Sequence, residues 1–164
     1  MQHFVKRSIL GLLCFFTFSA YADINTKIYT TDDSHQLLGT VTFSQTPYGV
    51  LITPDLNKLS PGLHGFHIHV NPTCADNGMA AGGHLDPQNT NKHAGPYSDA
   101  GHLGDLPTLY VDYKRKADLP VFAPRLKLDD IKNHSIMIHE GGDNYSDNPS
   151  MGGGGKRIAC GIIE

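Results

Sequence analysis

The chain has 164 residues, of which 39% are hydrophobic, 18% charged and 9% aromatic. That is the mix of one soluble globular domain, and it argues against a disordered chain or a multi-span membrane protein. The formal net charge of −3 offers no basic footprint for nucleic acid.

In chain order, residues 1–22 read as an address rather than structure. Lys6 and Arg7 form a short basic region, Ile9 to Phe18 is an apolar run, and Ser19-Ala20-Tyr21-Ala22 supplies a small-x-small cleavage site. This is the three-part pattern of a secretory signal peptide, with an apolar run too short to span a bilayer well. Cleavage after Ala22 would leave residues 23–164 as a single domain in a bacterial periplasm, with no membrane contact thereafter. Losing Lys6 and Arg7 takes the net charge from −3 to −5. In that oxidising compartment the remaining Cys74 and Cys160 form an even pair, for which a disulfide is the default. The alternative is a pair of metal ligands, against which the long separation and the missing CxxC spacing argue.

No stretch of helical period is long enough to convince. Short runs rich in β-branched and aromatic residues recur instead, at Lys27 to Thr31, Leu37 to Ser44, Val50 to Thr53 and Gly65 to Val70. Further runs lie at Thr108 to Asp112, Val121 to Leu128, Ser135 to Glu140 and Ile158 to Ile163. The turn Thr46-Pro47-Tyr48-Gly49 joins the second and third runs into a hairpin. Eight short strands, with 18 glycines and 10 prolines between and around them, favour an all-β sandwich or barrel. Two long stretches interrupt the spacing, Asn71 to Pro107 and Gly141 to Lys156. Long loops in a compact domain are usually functional or disordered, and the histidines in the first favour function.

Six of the 10 histidines fall between Pro61 and His102. His67 and His69 are two apart on one strand, so both imidazoles face the same side, a ready bite for a transition metal. His84, His93, His102 and Asp105 follow in the loop, and three imidazoles with one carboxylate match a four-coordinate zinc site. A metal would also order a loop of this kind. His139, at the end of a later strand, is a plausible late partner for His67 and His69. His64 has the opposite parity and reads as a hydrogen-bonded structural residue. His35 and His134 read as solvated.

The ordered motifs carry a resemblance. Gly65-Phe66-His67-Ile68-His69, Gly83-His84-Leu85-Asp86-Pro87, Lys92-His93-Ala94-Gly95-Pro96 and His102-Leu103-Gly104-Asp105-Leu106 come first. His139-Glu140-Gly141-Gly142-Asp143 and Gly155-Lys156-Arg157-Ile158-Ala159-Cys160-Gly161 follow. Together they resemble copper/zinc superoxide dismutase, in its secreted bacterial branch. The resemblance implies a flattened eight-stranded Greek-key β-barrel, an immunoglobulin-like sandwich in architecture, with two long functional loops. It implies one copper held by His67, His69, His84 and His139, and one zinc held by His84, His93, His102 and Asp105. It makes His84 the ligand shared by both metals and a proton carrier. Asp143 becomes a carboxylate joining a copper-ligand imidazole to a zinc-ligand imidazole. Arg157 becomes the active-site arginine, and Cys74 and Cys160 the family disulfide. The implied substrate is superoxide. Secreted bacterial members of the family include both dimers and monomers, so the assembly stays open between the two, with a homodimer favoured. Lys92 and Lys156 are weaker candidates for steering the anion. Gly152 to Gly155 would let the backbone turn tightly before the last strand. Rival readings are a copper-delivery domain, a copper-only variant and a secreted metal buffer. The first would lack copper ligands, the second zinc ligands, and the third has no use for Arg157.

Overall fold

The computed structural model describes residues 22–164; the proposed signal peptide and its cleavage site lie at or outside that boundary. Ten strands are present among the described residues: β1 Ile24–Thr30, β2 Leu37–Thr46, β3 Gly49–Asn57, β4 Gly62–His64 and β5 Phe66–His69. The other five are β6 Leu109–Val111, β7 Lys116–Ala117, β8 Val121–Ala123, β9 His134–His139 and β10 Arg157–Ile163. Among the described residues, one short α-helix, α1, covers Leu128–Ile131, and single 3-10 turns lie at Met79–Ala81 and Ser150–Gly153. No described helix is long and apolar enough to cross a membrane.

The main sheet runs β5-β9-β10-β1-β2-β3-β7, with β8 also paired to β3, while β4 pairs with β6. The pairings are antiparallel. The chain makes a meander of β1 to β3, crosses to the far edge for β4 to β6, and returns to β3 for β7 and β8. It then fills the gap between β5 and β1 with β9 and β10. That is a Greek-key path, and it curls the sheet into the expected barrel.

Eight of the ten segments form the main sheet, and β4 and β6 form the second. Gly65 separates β4 from β5 because its N–H donates to Gly141 O (2.7 Å) and its carbonyl accepts from His139 N (2.9 Å). The expected strand from Val121 to Leu128 stops at Ala123, since Pro124 has no N–H to continue the ladder. Beyond it, Asp130 accepts a hydrogen bond from Lys127 N at 2.9 Å, and this side chain starts α1.

Alternation in β1 and β2 sends Ile24, Ile28, Val41 and Phe43 inward. They join Ile52, Leu56, Phe66, Ile68, Leu109, Ile136 and Ile138 in one buried core. β5 and most of β9 are buried on both faces. On β5, Phe66 and Ile68 fill the barrel, so His67 and His69 must face out from its wall. The register pairs His67 with Met137 and His69 with Ser135. His139 therefore shares that outer face. The two long loops cover it.

Candidate metal centre

The first long loop is laid onto the free edge of β5. Ile68 N donates to Gly104 O (2.9 Å), Leu85 N to Ile68 O (2.8 Å) and Leu106 N to Phe66 O (3.2 Å). These bonds place Asp105 opposite His67 and His84 opposite His69. The approach demands glycine at 104, where an added Cβ would sit 2.3 Å from Ile68 O.

Two donor sets result, each with ligand atoms within 4.8 Å of one another: His67, His69, His84 and His139, and His84, His93, His102 and Asp105. All seven residues are buried. His84 belongs to both, with its ring centroid 4.0 Å from that of His67 and 5.3 Å from that of His102.

The hydrogen-bond partners fix which nitrogen of each ring is free. His67 Nε2 donates to Asp143 Oδ2 (2.7 Å), His69 Nδ1 to Gly82 O (2.9 Å) and His139 Nδ1 to Gly155 O (3.3 Å). An imidazole that donates from one nitrogen when neutral carries a lone pair on the other. Those others, His67 Nδ1, His69 Nε2 and His139 Nε2, are buried without any partner. Burial pushes these three rings down to about 3, about 2 and about 4 respectively, with the neighbouring His84 adding to the effect. They are therefore neutral at physiological pH, each with a lone pair free for a cation.

In the second set, Nδ1 of His84, His93 and His102 lies 2.9, 3.0 and 3.3 Å from the same Asp105 Oδ1. Three nitrogens on one oxygen overcrowd a hydrogen-bond acceptor. The His93 contact, although close, is misaligned, so that Nδ1 has no hydrogen bond. The spacing is instead that between donors around a tetrahedral zinc, about 3.3 Å for bonds of about 2.0 Å. Burial opposes charge on Asp105, but the three imidazoles outweigh it and hold the carboxyl far below the usual carboxylate range. His93 is also pulled down by burial, yet Asp105 and Asp143 raise it to about 9. A cation binding at its Nδ1 at neutral pH must displace a proton. The residues thus fit a metal in each set.

Asp143 joins the two halves, taking His67 Nε2 on Oδ2 and His93 Nε2 on Oδ1, both at 2.7 Å. Burial resists its ionisation, but these two donors and Tyr145 N keep it well below the usual range. Gly152 makes room for it: with φ at 69°, an added Cβ would lie 2.0 Å from Asp143 Oδ1. Asp147 also accepts from His93 N at 2.9 Å.

His84 and His139 open onto a pit of about 290 Å³, also lined by Met79, Ser150, Gly155, Lys156 and Arg157. Arg157 is half-buried. It donates from Nη1 to Gly78 O (2.6 Å) and from Nη2 to Gly82 O (2.7 Å). Cys74 and Cys160 form a disulfide, which ties the turn carrying those carbonyls to β10. Lys156 lines the pit; Lys92 does not. His64 is buried, with Nδ1 2.7 Å from His139 O and Nε2 2.8 Å from Ser60 O. His35, expected to be solvated, is exposed but stacks on Tyr29 at 4.6 Å.

A β-barrel bearing two adjoining buried donor sets that share one imidazole defines a binuclear metalloprotein. The family model described as copper/zinc superoxide dismutase (SODC) matches residues 37–163. The superoxide dismutase [Cu-Zn] of Legionella pneumophila is 56% identical over 156 residues, covering 95% of this chain and 96% of that protein. Superoxide dismutase [Cu-Zn] 1 of Salmonella typhimurium (strain LT2) is 57% identical over 137 residues, 77% of each chain. Among solved structures, the Cu/Zn superoxide dismutase from Brucella abortus matches with a TM-score of 0.82 and 46% identity, over 87% of this chain and all of that one. The chain belongs to the copper/zinc superoxide dismutase family. It is an oxidoreductase whose cofactors are copper and zinc, and it converts two superoxide anions and two protons to dioxygen and hydrogen peroxide.

Proposed function

We propose that His67, His69, His84 and His139 hold the copper and that His84, His93, His102 and Asp105 hold the zinc. The observation that carries this division is the make-up of the two sets: the first offers four imidazoles and no fixed charge, and the second gathers three imidazoles around the carboxylate of Asp105. Copper, when bound, supplies the one-electron redox change that dismutation requires, and zinc a fixed divalent charge that cannot change valence.

The chain's own residues do the rest. Arg157 attracts superoxide into the pit against the net negative charge and orients it with its guanidinium fork. The fork is held ready because backbone carbonyls already fix its direction. His84 Nε2, the nitrogen turned from Asp105, would be its copper-side donor and, when that bond is open, would carry one of the two protons the reaction consumes to the departing peroxide. Asp143 sets tautomer and tilt for His67 and His93 together. The test is metal analysis of two variants. His139→Ala should lose copper and turnover while keeping zinc, and Asp105→Ala should lose zinc while keeping part of its copper. Equal loss of the same metal in both would refute the division.

Export to the periplasm, with cleavage after Ala22, is the proposed setting. It is supported by the start of β1 at Ile24 and by a disulfide, which persists in oxidising compartments. A homodimer is the proposed assembly. Leu63 and Tyr110, opposite one another on β4 and β6, are 56% and 46% exposed and offer apolar surface for it. A solved relative from Salmonella enterica, of TM-score 0.75 and 49% identity over 87% of this chain and all of that one, is described as monomeric. Sedimentation equilibrium decides the point, and a single-chain mass would refute the dimer.

A further inference from the structure

Arg125 lies between β8 and α1, far in sequence from every ligand. Its neighbour Leu126 is anchored in the barrel core, so the side chain starts from a rigid base. The guanidinium reaches across to the first long loop. Nη2 donates to Gly101 O (2.8 Å), and Nη1 to His102 O (3.1 Å) and to Gly95 O (3.5 Å). Nε faces Asp99 Oδ1 at 3.4 Å, but the Asp99 side chain is fully exposed, and such surface pairs contribute little.

The three acceptors matter more. Gly95, Gly101 and His102 are all buried, so their carbonyls have little water to fall back on. Residues 94–101 form no strand or helix. Among the described residues, no other side-chain hydrogen bond ties 95–101 to the barrel. One fork of fixed geometry therefore gathers both ends of the segment and holds the backbone of His102 itself.

We propose that Arg125 is a positioning residue for the zinc half of the centre, fixing the loop so that His102 Nδ1 faces Asp105. The proposal rests on the assignment of zinc to His84, His93, His102 and Asp105. Groups that orient ligands in this way typically contribute about ten- to hundredfold to metal affinity.

The experiment uses the full mature chain, stripped of metal and titrated with Co²⁺ against a competing chelator, with the visible d–d bands as readout. Arg125→Gln should weaken Co²⁺ binding by about ten- to hundredfold and shift the tetrahedral bands. Cu²⁺ binding at the other set and melting of the metal-free chain should change much less. Arg125→Lys keeps the charge but cannot reach three carbonyls at once, and should restore only part of the affinity. Asp105→Asn, run alongside, should abolish the tetrahedral bands. Bands that survive Asp105→Asn would overturn the zinc assignment and this proposal with it. Bands lost at Asp105 but unchanged in position and affinity in Arg125→Gln would overturn the proposal alone. A parallel loss of Co²⁺, Cu²⁺ and melting temperature would overturn it too, by showing a general structural role.

Discussion

Removing the disulfide should damage the enzyme twice, through stability and through Arg157. The bridge closes a loop of 86 positions, for which chain entropy gives about 4.6 kcal/mol as an upper figure. Taking about 3 kcal/mol as realistic, the metal-free Cys74→Ser/Cys160→Ser chain should melt roughly 6–12 °C lower. The metal-free form is the right one to melt, since bound metal adds stability by mass action. The second effect follows from where the guanidinium is held. Its acceptors, Gly78 O and Gly82 O, sit in the turn that Cys74 tethers to β10. That turn keeps other ties, such as Asn71 N to Ala81 O at 2.9 Å and Val70 N to Gly83 O at 3.1 Å. Arg157 should thus be loosened rather than lost. The second-order rate of the metal-loaded variant, followed by pulsed superoxide decay, should fall roughly tenfold, about 1.4 kcal/mol. Unchanged melting would refute the entropic argument. A lower melting point with an unchanged rate would refute the link from disulfide to arginine.

Arg157→Ala should keep both metals yet lose roughly one to two decades of second-order rate, about 1–3 kcal/mol, with Arg157→Lys between. The wild-type rate should fall with ionic strength over a Debye length of about 8–10 Å, and the Arg157→Ala rate less so; equal salt slopes would point to Lys156 instead. Gly152→Ala should mimic Asp143→Asn, because the new methyl displaces the Asp143 carboxylate; each should weaken both metals about tenfold or more in chelator competition, and normal affinities in Gly152→Ala would show that the close approach is unimportant. Mass spectrometry of exported protein should find Asp23 as the N-terminus, whereas a retained leader would contradict the expected cleavage.

The elements that the sequence made legible are those with a local signature. Alternation in Leu37 to Ser44 and the Thr46-Pro47-Tyr48-Gly49 turn announced the hairpin, which pairs Thr46 with Gly49. His67 and His69 announced a shared face by parity alone. What stayed hidden depends on contacts between distant segments. Lys116 and Ala117 have no strand pattern; they pair with β3 because Asp112 Oδ1 accepts from Lys114 N and Lys116 N and bends the chain back. The break at Gly65 needs Gly141, 76 positions away in the folded loop. Arg125 had no signal at all, since an arginine after a proline reads as surface. Gly152 was visible as part of a glycine cluster, but its reason, the Asp143 carboxylate against it, is purely three-dimensional.

The central claim is that the two donor sets hold different metals around a shared His84. Metal content of the purified mature chain, measured together with its superoxide consumption, tests this most directly. The account predicts one copper and one zinc per chain, with turnover rising in proportion to copper and not to zinc. Turnover that persists without copper, or a single metal filling both sets in the active enzyme, would contradict it.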